Sequence, residues 1–138
     1  MTTVHCETVT RNEYPVALRV RAHELRADAG LESGGNDSAP GAHDFFDMAL
    51  ATCKAHTAMW YAKRKGIPLE RVTVLVESDA AEEREGVYRM RVTLAFHGAL
   101  TSEQRAMLDR ALAACPIAKL MTTSEVRIET VASSATPD

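Results

Sequence analysis

The chain has 138 residues, of which 46% are hydrophobic and 25% are charged, and its formal net charge is -3. This length suits one compact core, so we expect residues 1–138 to form a single domain. Acidic and basic residues are mixed along the chain without a basic block, which argues against nucleic acid or a membrane surface as a partner.

The N-terminus and the cysteine content predict a cytoplasmic protein. MTTVHCETVT lacks the basic and apolar segments of a signal peptide, and no stretch of the sequence is apolar enough to span a membrane. Three cysteines, Cys6, Cys53 and Cys115, are too few for a secreted disulfide scaffold, and a reducing compartment would keep them as thiols. A disulfide in this chain would therefore have a working role.

The N-terminal third predicts a small antiparallel sheet followed by a loop. TTVHCETVT and EYPVALRVRAHELRAD alternate polar with apolar or β-branched residues, as strands with one buried face do. The next segment, DAGLESGGNDSAPGA, contains glycine, asparagine, aspartate and proline residues that interrupt any periodic pattern. A loop of this length either covers a binding site or is a plain surface excursion, and the sequence favours neither.

Residues 43–65 predict one long helix. They contain no glycine or proline, and Gly66 and Pro68 supply a stop directly after them. The first half, FFDMALATCKAHTAMW, is apolar on most sides, as expected of a helix that other elements surround. We expect this helix to be the central core element.

The C-terminal half predicts a hairpin, two helices and a strand. RVTVLVESD and GVYRMRVTLAFHG alternate around the acidic turn AAEERE, and TSEQRAMLDRALAAC begins with Thr101 or Ser102 as a helix cap. EVRIETV predicts a final strand and ASSATPD a frayed tail. The order of these strands and helices along the chain predicts an α+β domain.

Cys53 lies in the middle of the predicted apolar helix. It is too far from the helix start to gain from the helix dipole, which fades within the first turn. His56 shares its helical face and is placed to support a thiolate, whereas Lys54 points elsewhere. Because a buried cysteine on an apolar helix is more often inert, Cys53 alone favours a structural role.

Cys115 is the second candidate, since it precedes Pro116 in AACPIAKLM. Proline is favoured at the first helical position and pushes its predecessor out of the helical region, so Cys115 is predicted to cap a short helix. Free backbone N–H groups at such a position stabilise a thiolate, which makes Cys115 a candidate redox residue. A plain helix cap is an equally good interpretation.

Metal binding is the competing chemistry. Cys53 with His56, and His43 with Asp47, have helical spacings that a zinc or iron site uses, with His23 or Asp28 completing the ligand set. Because the sequence has no HExxH motif and no CxxC pair, we expect neither a metal nor another cofactor. The absence of GxSxG and of a phosphate-binding loop argues against the corresponding serine hydrolases and nucleotide-binding proteins.

Three features occur together in this chain: an alanine-rich helix with one cysteine, the helix exit GIPLERVTVLV and the later CPIAKLM. With HELRAD and GGNDSAPGAHDFF, they resemble the OsmC/Ohr family of osmotically inducible and organic hydroperoxide resistance proteins. The resemblance runs from about Val16 to Val131. It implies an OsmC-like fold, with antiparallel sheets around the long central helix, in an intertwined homodimer with active sites at the subunit interface.

The resemblance also implies a function and its residues. The implied activity is that of a thiol peroxidase of oxidative-stress defence, which reduces a hydroperoxide substrate and is restored by a dithiol reductant. Cys53 matches the family's peroxidatic cysteine and Cys115 its resolving cysteine. Asp44 stands at the position of a family glutamate, and Arg19 or Arg21 matches the arginine that holds the thiolate. A sulfenic acid on Cys53 then condenses with Cys115 to form a disulfide.

Asp44 raises a geometric question and an alternative function. It lies nine residues before Cys53, on the opposite face of a straight helix, so either the helix is broken or Asp44 serves the second subunit's site. Aspartate in place of glutamate, with several histidines, also favours an alternative: a non-catalytic small-molecule or metal-binding protein of the same fold.

Overall fold

The structure is a computed structural model that describes residues 1–133. It is an α+β chain with two antiparallel sheets and a long central helix, as predicted. None of the helices in the described range combines the length and the apolar character needed to cross a bilayer. The elements are β1 (Val4–Thr8), β2 (Val16–Val20), β3 (His23–Ala27), α1 (Ala42–Lys65), β4 (Arg71–Asp79), β5 (Arg89–His97), α2 (Ser102–Leu112) and α3 (Pro116–Thr122).

The N-terminal sheet has the strand order β1-β2-β3, with antiparallel pairing throughout. A two-residue turn joins β2 to β3, and its first residue, Arg21, has a φ of 53°. Positive φ values are what tight hairpin turns require. No residue of these three strands is buried, so the predicted buried face is only partly covered within the single chain.

The long helix α1 begins one residue before the predicted position and ends at Lys65, where it is capped by Gly66 with a φ of 65°. Its second half packs into the core, whereas Phe46 and Met48 in its first half are exposed. The expectation that other elements surround this first half is therefore wrong for the single chain. The buried core residues are Ala58, Ala62, Ile67, Leu69, Phe96, Leu108 and Leu112.

The predicted hairpin and the helix that follows it are confirmed. β4 and β5 pair along all nine residues of each strand, and their side chains alternate between partly buried and exposed positions, as the two-residue period requires. Thr101 caps α2, since its hydroxyl accepts the Gln104 N–H at 3.1 Å and its own N–H donates to the Gln104 side chain at 3.0 Å. This capping box decides between Thr101 and Ser102.

The predicted final strand is wrong, since residues 125–131 have no regular secondary structure. A strand persists only when a neighbour takes its backbone hydrogen bonds, and no strand within residues 1–133 pairs with this segment. Val126, Ile128 and Val131 are 65%, 85% and 77% exposed. The alternating pattern therefore has no partner in the single chain. The predicted frayed tail covers residues 132–138, of which residues 134–138 lie outside the described range.

Candidate active site

Cys53 is partly buried near the middle of α1, and its sulfur accepts a backbone hydrogen bond from another helix. The Ile117 N–H donates to Cys53 Sγ at an N···S distance of 3.5 Å, and the Thr57 hydroxyl lies 3.9 Å from the sulfur. Ile117 is the second residue of α3, where backbone N–H groups have no partner inside their own helix. Such a donor is a favourable neighbour for a negatively charged sulfur.

Cys115 is the N-cap of α3, as predicted from the Cys-Pro pair. Its backbone is extended, with φ -65° and ψ 147°, and Pro116 occupies the first helical position. The Cys115 side chain is fully buried, and both cysteines are free thiols. Because α3 packs against α1, cysteines far apart in sequence belong to the same part of the fold.

Cys53 lies in the wall of a cavity of about 1460 Å³ between β3, α1 and the turn from α2 to α3. Ser38, Ala39 and Pro40 of the long loop form part of this wall, so the loop does cover a candidate binding site. The apolar lining suits the alkyl part of a ligand better than a charged molecule. Its apolar side chains include Leu25, Phe45, Met48, Trp60, Pro116 and Ile117.

Few titratable or charged side chains share this cavity with Cys53. They are Glu24, Arg26, His56 and Tyr61, so Arg26 is the permanent cation among the lining residues. Sequence reasoning missed Arg26, although it lies in the HELRAD segment that carried the family resemblance. The two-residue period of β3 puts Glu24 and Arg26 on one face, and this signal could have identified the pair.

The arginines predicted to hold the thiolate lie elsewhere. Arg19 is exposed on β2, where it stands opposite Glu24 of β3, and Arg21 forms the turn between these strands. Neither residue is among those that line the Cys53 cavity. The single chain therefore does not bring Arg19 or Arg21 together with Cys53.

Asp44 acts as a cap of its own helix. Its Oδ2 accepts the Gly41 N–H at 2.8 Å, and α1 continues without interruption to Lys65. A break near the helix start is therefore excluded. Asp44 lines a different cavity, against β2, and not the one that contains Cys53.

The pair His43 and Asp47, considered above as metal ligands, faces the β4–β5 hairpin. The Ser78 and Tyr88 hydroxyls donate to the Asp47 carboxylate at 2.6 and 2.7 Å, and His43 Nε2 lies 2.5 Å from a Glu83 carboxylate oxygen. Burial raises the pKa of Tyr88, and Asp47 adds to this effect. Within residues 1–133, no group of three or more His, Cys, Asp or Glu residues is arranged to hold a metal ion.

Asp28 fixes the loop that forms one wall of the Cys53 cavity. Its side chain is only 6% exposed, and its Oδ2 accepts the Ser38 hydroxyl at 2.7 Å and the Ser38 N–H at 3.0 Å. Oδ1 accepts the Ala29 N–H at 2.7 Å. The hydrogen bonds from Ser38 hold the pKa of Asp28 below its ordinary value. Ser38 is thereby held at the edge of the cavity.

The family model described as OsmC-like protein matches residues 34–131, which is more than half of the chain. The chain belongs to the OsmC-like family. This confirms the resemblance drawn from the alanine-rich helix and the Cys-Pro pair. No curated protein sequence matches this OsmC-like chain.

Solved structures confirm the OsmC-like fold. An OsmC-like protein from Mycoplasma pneumoniae is 14% identical with a TM-score of 0.70, over 89% of this chain and 88% of that one. An organic hydroperoxide resistance protein OsmC from Legionella pneumophila is 20% identical with a TM-score of 0.63, over 89% and 90%. The organic hydroperoxide resistance protein OhrB of Bacillus subtilis is 17% identical with a TM-score of 0.58, over 89% and 91%.

Proposed function

We propose that this OsmC-like protein is a thiol peroxidase that reduces organic hydroperoxides, with Cys53 as the peroxidatic and Cys115 as the resolving cysteine. The observation that carries the proposal is the position of Cys53, whose sulfur borders a largely apolar cavity and accepts the Ile117 N–H. The names of two proteins with the same fold, the hydroperoxide resistance proteins of Legionella pneumophila and Bacillus subtilis, support it.

In the first step the Cys53 thiolate attacks the terminal oxygen of the hydroperoxide. A sulfur–oxygen bond forms, the oxygen–oxygen bond breaks, and the leaving alkoxide takes up a proton to become an alcohol. The apolar wall accommodates the alkyl group during this step. The Ile117 N–H compensates part of the negative charge on the sulfur before attack.

In the second step the Cys115 thiol attacks the sulfur of the Cys53 sulfenic acid. A disulfide bond forms, the sulfur–oxygen bond breaks, and water leaves with the proton of the thiol. An external dithiol restores both cysteines by exchange. Because Cys115 is fully buried, we expect the reductant to attack at the Cys53 sulfur and to release Cys115.

The working unit in this proposal is a cytoplasmic homodimer with its active sites between the subunits. The exposed apolar side chains of Phe46, Met48 and Ile128 support the proposal of a dimer, because contact with a second chain would remove them from water. In this arrangement Asp44 and one of the two arginines, Arg19 or Arg21, contribute to the other subunit's site.

Consumption of cumene hydroperoxide or hydrogen peroxide with dithiothreitol as reductant tests the proposal. We expect Cys53→Ser to abolish consumption and Cys6→Ser to retain it. Cys6 is a matched control because it is an exposed cysteine on β1. Equal consumption by the wild type and Cys53→Ser would refute the peroxidase and favour the second candidate.

That second candidate is non-catalytic binding of an apolar small molecule. It is favoured by the volume of the cavity, about 1460 Å³, and by the absence of Arg19, Arg21 and Asp44 from its lining. Under this alternative Cys53 is one wall residue among others, and ligand binding does not require its sulfur.

A further inference from the structure

Two consecutive residues of α1 hold the two ends of the segment that carries Cys115. The Lys54 ammonium donates to the backbone carbonyl of Leu112 at 2.5 Å, and Cys53 Sγ accepts the Ile117 N–H at 3.5 Å. Leu112 is the last residue of α2, and Ile117 is the second residue of α3. Residues 112–117, with Cys115 between the two contacts, are therefore attached to α1 at both ends.

The contact from Lys54 supplies a partner that α2 lacks. The last four carbonyls of a helix accept no hydrogen bond from within it, and the C-cap residue of α2, Ala113, is helical and is not a glycine. Leu112 is only 1% exposed, so little water reaches this residue. A charge-assisted hydrogen bond here is strong and favourably placed for the helix dipole. Lys54 therefore fixes the point at which the turn 113–115 leaves α2.

We propose that Lys54 is a positioning residue for the resolving reaction, because it holds Cys115 in place for attack on an oxidised Cys53. The proposal rests on the roles proposed above for the two cysteines. A disulfide requires Cα atoms within about 4.4 to 6.8 Å, so a small displacement of the turn prevents it. Cys115 is also fully buried, and it reacts only with a group presented to it inside the protein.

The two contacts behave differently once Cys53 is oxidised. A sulfenic acid carries no negative charge, so its sulfur is a weaker acceptor for the Ile117 N–H than a thiolate is. The contact between Lys54 and Leu112 does not involve the reacting sulfur and is kept. During the resolving step, Lys54 is therefore the contact that keeps the Cys115 segment on α1. In this step the disulfide forms, the sulfur–oxygen bond breaks, and water leaves.

Four full-length variants test the proposal. Lys54→Met removes the donor, Lys54→Arg keeps it, Lys54→Gln leaves an uncharged donor, and Lys63→Met is the control. Lys63 is an exposed lysine in the last turn of the same helix. The first arm uses diamide, which closes disulfides without a peroxide, and follows the Cys53–Cys115 bond by peptide mapping. We expect closure to slow about tenfold in Lys54→Met, the size of one lost charge-assisted hydrogen bond. Lys54→Arg and Lys63→Met should close at the wild-type rate.

The second arm uses excess cumene hydroperoxide and measures the ratio of disulfide to sulfinic acid on Cys53. We expect Lys54→Met to lower this ratio, because its sulfenic acid waits longer for Cys115 and is oxidised again. A variant with general structural damage would instead form the sulfenic acid more slowly, so its dimedone adduct on Cys53 would also appear more slowly. The ratio of disulfide to sulfinic acid would stay unchanged. Lys54→Gln, an uncharged donor, should fall between methionine and arginine, so the series remains decisive if Lys54→Met does not fold.

The role of Lys54 would be overturned if Lys54→Met formed the disulfide with diamide at the wild-type rate. It would also be overturned by an unchanged ratio of disulfide to sulfinic acid, or if Lys54→Gln did not fall between Lys54→Met and Lys54→Arg. A wild type that forms no Cys53–Cys115 disulfide with diamide would overturn it too. A wild type that closes with diamide but consumes no hydroperoxide would instead refute the proposed function and leave the positioning of Cys115 intact.

Discussion

The Ile117 backbone nitrogen lies 3.5 Å from Cys53 Sγ, and its N–H donates a hydrogen bond to this sulfur. The two residues are 64 positions apart in sequence. This contact explains how a cysteine in the middle of α1, beyond the reach of its own helix dipole, gains a polar partner. The donor belongs to the peptide that follows Cys115 and Pro116. The contact that supports the Cys53 sulfur therefore comes from the segment that carries the second cysteine.

We predict that one equivalent of cumene hydroperoxide links Cys53 to Cys115 within one chain. Peptide mapping by mass spectrometry detects this disulfide directly. In Cys115→Ser the sulfenic acid has no resolving thiol, so Cys53 should proceed to sulfinic acid under excess peroxide. If the wild type instead accumulates sulfinic acid on Cys53 with Cys115 free, the resolving role is wrong and Cys115 is only a helix cap.

One of the two variants Arg19→Ala and Arg21→Ala should slow hydroperoxide consumption about tenfold, the effect expected when the thiolate loses one charge-assisted contact. Since neither Arg19 nor Arg21 lines the Cys53 cavity of its own chain, we expect the effective arginine to come from the second subunit.

Sedimentation at micromolar concentration should give about twice the monomer mass. A clean monomer would contradict the shared site.

Mixing a cysteine variant with an arginine variant tests the shared site by activity. Random mixing of Cys53→Ser with the slow Arg19→Ala or Arg21→Ala variant creates heterodimers with one complete site, so activity should recover to about a quarter of the wild type. Arg26 provides the matched control, because it lines the same cavity as Cys53 of its own chain. A mixture of Cys53→Ser with Arg26→Ala should therefore gain no activity over the Arg26→Ala protein that it contains. No recovery in the first mixture would place the arginine elsewhere.

Much of the fold could be predicted because its signals are local. Gly66 marks the end of α1, and the Cys115-Pro116 pair marks the start of α3, since each acts through the backbone of its own segment. The alternation in residues 125–131 is equally local, but it gives no strand in the single chain because pairing needs a second strand. A sequence pattern states what a segment can form and does not state whether a partner is present.

The candidate site was predictable only where family motifs mark it. Cys53 and Cys115 lie in such motifs, and the structure brings their segments together. Arg26 also lines the cavity, whereas the family resemblance points to Arg19 or Arg21. Which side chains face a cavity depends on how the sheet and α1 pack, and these elements are remote in sequence. The contact of Lys54 with Leu112 has the same origin, because it joins residues 58 positions apart.

Trp60 should report binding to the cavity without any chemistry. It is the chain's single tryptophan, lines the same cavity as Cys53 and is 60% exposed. Binding of 2-phenyl-2-propanol, the alcohol formed from cumene hydroperoxide, should remove water from the indole and shift its fluorescence to shorter wavelength. Cys53→Ser should show the same shift, since binding does not need the thiol. No shift up to the solubility limit would argue that the cavity does not receive this ligand.

Asp28→Asn should lower the melting temperature at pH 7 by roughly 5 °C, because it removes a buried carboxylate that several hydrogen bonds stabilise. The pKa of folded Asp28 lies below the ordinary value of 3.8. Its stabilising contribution is therefore complete above the unfolded-state pKa and is lost as the pH falls through the lower folded-state pKa. Thermal unfolding should accordingly show the difference between variant and wild type narrowing below about pH 4.

Asp37→Asn is the control for this measurement. Asp37 is exposed in the same loop with a φ of 52°, a conformation that asparagine also adopts. We expect its melting temperature to follow the wild type at every pH. An Asp28→Asn deficit that stays constant as the pH falls would show that the charge of Asp28 does not stabilise the loop.

The most direct test of the peroxidase is to trap the sulfenic acid on Cys53. In Cys115→Ser, treated with one equivalent of cumene hydroperoxide in the presence of dimedone, we predict a dimedone adduct on Cys53 and none on Cys6. Mass spectrometry of the digested protein locates the adduct, and Cys53→Ser with the same treatment should carry none. An unmodified Cys53 thiol with the hydroperoxide unconsumed would contradict the account.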